Sequence, residues 1–149
     1  MSILILKIIS FITMIIDHTG IVFFPSNDLF RIVGRISFPI FCFFIVEGYF
    51  HTKDIKKYLG RIFLLAIISE IIFDLLFYDK IICWDRQNTC FELFLGLYTI
   101  FILDKLIDNK YKLLPILLIF LSILLSNLLH LDYSYKGIIL ILCFYLVNK

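Results

Sequence analysis

The sequence predicts an all-α, polytopic integral membrane protein: a helical bundle of about six transmembrane helices with both termini inside. Three observations lead there. Of the 149 residues, 62% are hydrophobic and 17% charged, and the mean hydropathy is +1.02, more apolar surface than a soluble core of this length can hide. Apolar runs occupy residues 3–24, 32–50, 58–78, 91–107, 113–130 and 135–147. The connections between them are at most about a dozen residues, as between antiparallel neighbours of one domain over 1–149.

The first run is about 33 Å long at about 1.5 Å per residue, enough to cross the hydrocarbon. Lys7 followed by apolar residues resembles a secretion signal, but Asp17 and His18 lie inside the run and no small-residue cleavage site follows. It reads as a permanent helix. The second run contains Pro39, which removes a backbone hydrogen bond and is expected to kink the helix or free a carbonyl to line a cavity. The 91–107 and 135–147 runs are short and call for tilt or local thinning of the bilayer.

Orientation follows from the basic residues. Lys7, Lys53, Lys56, Lys57, Arg61, Lys105, Lys110, Lys112 and Lys149 fall on one side, and Arg31, Arg35, Lys80, Arg86 and Lys136 on the other. By the positive-inside rule the richer side is cytoplasmic, which places the 79–90 loop outside. There Cys83 and Cys90 are either a bridge closing the loop or two free thiols, while Cys42 and Cys143 read as packing residues. No spacing of Cys and His matches a zinc or haem site. A net charge of +2, with scattered basic residues, argues against nucleic acid as a partner.

The polar residues within the runs mark the candidate site, because an ionisable group at the centre of a spanning helix costs roughly 2.5–3.5 kcal/mol on insertion scales. Ser10, Thr13 and Asp17 form a stripe expected to face the bundle, with His18 on its flank. Arg31 and Arg35 share a face, as do Glu47 and His51, and Glu70 and Asp74 crowd one side of the third run. The spacing predicts a buried ionic cluster of Asp17, Arg31, Arg35, Glu70 and Asp74 in the outer half. Asn88, Glu92 and Gly96 follow at four-residue intervals, and His130, Asp132 and Tyr133 border the fifth run.

These same stretches resemble the TraX family of membrane proteins, named for the member required for N-terminal acetylation of F-type pilin. The resemblance is carried by Met14-Ile-Ile-Asp-His18, by residues 31–41 with Pro39, and by Glu47-Gly48 with His51-Thr52. It continues through Tyr58-Leu-Gly-Arg61, residues 68–74, Gln87-Asn88, Leu95-Gly96, and Asp132-Tyr133 followed by Gly137. Glu92 stands where a small hydroxylated residue such as Thr is expected, and the chain is short for the family, as in a minimal or truncated member.

The resemblance implies a multi-pass acyltransferase of the cell membrane that moves an acetyl group from acetyl-CoA, with no metal, to an acceptor amine or hydroxyl: a pilin-like peptide amino terminus or an envelope glycan. Within that reading His18 is the catalytic base, supported by Asp17. Arg31, Arg35, Glu47, His51, Glu70, Asp74, Asn88, Glu92 and Asp132 are candidates for binding the substrate. Lys53, Lys56, Lys57 and Arg61 are placed to attract the CoA phosphates. Two other readings fit the residues: a small proton-coupled carrier, since buried carboxylates with Arg and His also make relays, and a non-catalytic membrane subunit. Mutation of His18 separates the three.

Overall fold

Residues 2–107 and 113–149 are described in a computed structural model; Lys110 and Lys112, which enter the charge-asymmetry argument, lie outside the described residues. Among these residues there are seven helical segments, α1 (Ile3–Phe23), α2 (Asp28–Gly34), α3 (Ser37–His51), α4 (Ile55–Tyr78), α5 (Thr89–Leu106), α6 (Leu113–Leu128) and α7 (Tyr135–Asn148). Each of the six apolar runs becomes helical, and the second is broken into α2 and α3.

The break falls at Arg35 and Ile36, not at Pro39 itself. A proline has no N–H to offer the carbonyl four residues earlier, and its ring collides with that carbonyl, here Arg35. The chain answers by turning at 35–36, with Ile36 donating to the Val33 carbonyl at 3.2 Å, and restarting so that Pro39 sits in the first turn of α3. In that turn a missing N–H costs nothing.

Among the described residues two segments, Ile3–Phe23 and Asp28–His51, are long and apolar enough to cross a membrane. Only 17% and 33% of their apolar windows are buried, which leaves most of that apolar surface uncovered. Membrane association is the environment that covers such surfaces. The other four expected spans are less complete: α4 is long but carries Lys56, Lys57, Arg61, Glu70 and Asp74, α5 has 18 residues and carries Glu92, Asp104 and Lys105, and the apolar α6 and α7 are only 16 and 14 residues, about 24 and 21 Å.

The chain divides into two compact units, Met1–Phe44 and Ile45–Lys149. In the first, α1 starts at Ser2, whose hydroxyl accepts the Leu4 N–H, and packs closely on α2. Small residues permit the approach: a methyl on Gly20 would strike Phe30, and one on Gly34 would strike Asp17. Ser10 and Thr13 are buried, as the stripe predicts, and return their hydroxyl hydrogens to the Lys7 and Ile9 carbonyls at 2.9 and 2.8 Å, so they need no other partner.

In the second unit α5 is the hub, packed by α4, α6 and α7. Leu97 and Ile100 from α5 and Ile138, Ile141 and Tyr145 from α7 are fully buried. Gly96 brings α5 onto Ile141, and Thr99 donates to Ser122 of α6 at 2.9 Å. The helix starts are capped by side chains: Asp54 accepts the Lys57 N–H at 3.1 Å, and Asn88 accepts those of Cys90 and Phe91 at 2.7 and 3.3 Å. Asp79, in a left-handed conformation at φ 52°, ends α4. Cys42 is buried, but Cys143 is exposed, unlike the packing residue its place in an apolar run suggests.

Candidate functional site

At one end of the second unit, the C-terminal half of α4, the 79–88 loop, the start of α5 and the 129–134 turn are tied into a polar knot. Glu70 Oε2 accepts the Asn88 backbone N–H at 2.9 Å and also the Asn88 side-chain amide, which reaches the Ala66 carbonyl at 3.0 Å. One turn further along α4, Asp74 Oδ2 accepts the Cys83 N–H at 2.7 Å. Glu92, in the first turn of α5, accepts the Tyr133 N–H through Oε2 at 2.7 Å. Asp132 binds the Arg86 guanidinium and accepts the Thr89 hydroxyl at 3.1 Å. Gln87 completes the weave, donating its side-chain amide to the Cys83 carbonyl at 3.0 Å and its N–H to the His130 carbonyl at 3.2 Å.

Three carboxylates therefore share one design. Each spends one oxygen on a loop N–H, while Glu70 Oε1, Asp74 Oδ1 and Glu92 Oε1 are buried without a hydrogen-bond partner among the described residues. Asp74 and Glu92 are completely buried. A backbone N–H left unmade in such surroundings costs about 1–3 kcal/mol, so the carboxylates brace loops that would otherwise carry orphan donors. Among the described residues no group of three or more His, Cys, Asp or Glu is placed to hold a metal ion. Cys83 and Cys90 are free thiols, directed at Asp85 and at the Ser69 hydroxyl, 3.4 and 3.7 Å away.

In the first unit, His18 is exposed on α1 and its Nδ1 lies 2.9 Å from the Met14 carbonyl. A carbonyl only accepts, so the hydrogen sits on Nδ1 and the lone pair of the neutral ring on Nε2. Asp17, half-buried, packs on Gly34 between Arg31 and Arg35 in sequence. Arg31 has a buried Nε without a partner among the described residues, and Arg35 is exposed.

The sequence pairs Glu70 and Asp74 with these arginines, which belong to the other unit; within the second unit the two carboxylates accept from the amides of Asn88 and Cys83. The folded-back loop supplies uncharged donors beside both carboxylates, a non-local arrangement that helical spacing cannot reveal.

The opposite end of the second unit carries a group that the sequence reading passed over. Asp104 of α5 accepts hydroxyls from Tyr49 at 3.0 Å and Tyr145 at 2.6 Å and binds the Lys149 ammonium at 2.8 Å. The bond to Asp104, then that to Tyr145, raises the Lys149 ammonium above its usual range. Beside this group a cleft of about 360 Å³ is lined by Tyr49, Phe50, Thr52, Lys53, Ile55, Phe101, Asp104 and Lys105. Of the four cations assigned to CoA phosphates, Lys53 lines the cleft, Lys57 is 3.5 Å from Asp54, and Lys56 and Arg61 are exposed. Glu47 and His51 form a partly exposed pair at 3.5 Å. The signal available in advance was an aspartate near the end of an apolar helix with aromatic hydroxyls on two other helices.

The described residues define an all-helical protein with two segments apolar enough to cross a membrane and a knot of buried carboxylates at one end of its second unit. It belongs to the TraX family: the family model described as "TraX protein" matches residues 2–149. Over 88 residues it is 35% identical to "Probable fimbrial assembly protein FimC, serogroup H1" of Dichelobacter nodosus, covering 56% of this chain and 34% of that protein. Over 69 residues it is 39% identical to "Uncharacterized protein RP591" of Rickettsia prowazekii (strain Madrid E), covering 46% of this chain and 27% of that one. The aligned part thus spans about a third of the length of these curated relatives or less. No solved structure matches.

Proposed function

We propose that the protein is a multi-pass acyltransferase of the cell membrane, with both termini cytoplasmic, that transfers acetyl from acetyl-CoA to an acceptor amine or hydroxyl. The observation that carries the reading is His18, exposed within the Met14–His18 motif, with Nδ1 held by its own helix and the Nε2 lone pair turned outward as a general base requires. Family membership and a relative named for fimbrial assembly support it and point toward a pilin-like peptide amino terminus.

In this mechanism Nε2 takes a proton from the acceptor nitrogen or oxygen as that atom attacks the thioester carbonyl carbon. Collapse of the tetrahedral intermediate breaks the C–S bond, and the imidazolium returns the proton to the departing thiolate. Asp17 positions α1 against Gly34. Arg31 and Arg35 are the cations available to the developing oxyanion. In the second unit, taken by itself, Glu70, Asp74, Asn88, Glu92 and Asp132 are candidates for holding the acceptor, and Lys53, Lys56, Lys57 and Arg61 for drawing the donor phosphates. Supplying isotopically labelled acetyl-CoA to membranes containing the protein, and identifying by mass spectrometry which molecule gains the label, tests the reading and names the acceptor.

A further inference from the structure

We infer that the cleft between the C-terminal ends of α3 and α5 and the start of α4 is a binding site for a phosphorylated aromatic nucleotide. Its lining supplies the two chemistries such a ligand needs. Lys53 from the α3–α4 turn and Lys105 from the last turn of α5 bring two ammonium groups to one opening from separate elements. Tyr49, Phe50 and Phe101 bring aromatic rings. Phe50 lies parallel to Tyr145 at 5.8 Å with 7° between the rings, which fixes the wall, and Lys105 Nζ stands 4.0 Å from the Phe101 ring centre.

One lining residue opposes an anion, and its charge is already spent. Asp104 carries two tyrosine hydroxyls and the Lys149 ammonium, so the cleft presents net positive charge. Asp54, close by, caps α4 and pairs with Lys57. The volume, about 360 Å³, lies at the small end of ligand clefts, which run from roughly 300 to 1,000 Å³, and suits one nucleotide. Aromatic stacking holds a base without regard to its identity, and lysines hold phosphate as point charges. The assignment stands on the cleft; if the acyl-transfer reading also holds, the occupant is the nucleotide end of the donor.

The test uses the full chain in nanodiscs of neutral lipid and equilibrium dialysis against four probes: adenosine 3′,5′-bisphosphate, ADP, adenosine and inorganic pyrophosphate. Saturable retention of adenosine 3′,5′-bisphosphate or ADP is expected, with the tighter of the two identifying the phosphate arrangement, and adenosine and pyrophosphate each binding far more weakly. Lys53→Ser and Lys105→Ser should each weaken retention roughly tenfold, as for loss of one charge-assisted contact. Both side chains are exposed, so circular dichroism should show both variants folded. No saturable nucleotide retention, or retention by the double variant equal to wild type, overturns the site. Labelled-acetyl transfer with an acetyl-CoA KM indifferent to Lys53 and Lys105 removes the cleft and keeps the acyltransferase. Nucleotide retention lost in the variants, with no transfer by wild type, removes the acyltransferase and keeps the cleft.

Discussion

The Glu92 carboxylate accepts the Tyr133 N–H at 2.7 Å while resting against Gly137, where a methyl group would strike it. One buried side chain thus joins the first turn of α5 to the turn that launches α7. Gly137→Ala should destabilise the protein by about 1–3 kcal/mol through overpacking. Shortening the partner, as in Glu92→Thr with Gly137→Ala, should recover part of that loss. A double-mutant cycle on thermal unfolding in detergent measures the coupling, and strictly additive effects would show that the contact carries no energy.

Asp74 fixes the 79–88 loop through the Cys83 N–H, and Cys83 is only 5% exposed. Asp74→Ala should release the loop and expose the thiol. Maleimide should modify Cys83 slowly in the native protein and much faster in the variant, whereas equal rates would mean that other contacts suffice.

Pro39→Ala supplies the missing N–H to the Arg35 carbonyl and removes the ring from its path. Residues 28–51 should then run as a continuous helix, with amide exchange slowed at 35–39. Unchanged exchange there would place the cause of the break in packing around Gly34.

The helices were largely legible because apolar runs bounded by polar residues dictate them: all six runs are helical, and Asn88, singled out for its spacing, caps α5. Pro39 announced a break but not its place, since the obstructed carbonyl belongs to Arg35. The site was legible only in part. Glu70, Asp74, Glu92 and Asp132 were recognisable as polar residues needing partners, yet their partners are Asn88, Cys83, Tyr133 and Arg86, donors delivered by loops that fold back on the helices. Helical periodicity carries no information about such loops. Asp104 was missed for a related reason, its partners Tyr49, Tyr145 and Lys149 being distant in sequence.

The proposed orientation puts Lys53 and Lys105 on the cytoplasmic side and Cys83 and Trp84 on the other. Single cysteines at 53 and 84 in a chain otherwise free of cysteine should be blocked by impermeant reagent from inside and outside, respectively. The opposite pattern would invert the topology and separate the basic cleft from cytoplasmic nucleotides.

In the proposed reaction His18 Nε2 is the base of an acetyl transfer. The most direct measurement is the rate at which membranes containing His18→Ala, compared with wild type at equal folded amounts, pass label from acetyl-CoA to the acceptor. A fall of about 10²–10⁴ is expected with helicity and membrane insertion unchanged, and no rescue by His18→Gln. Transfer at the wild-type rate by well-folded His18→Ala would contradict it.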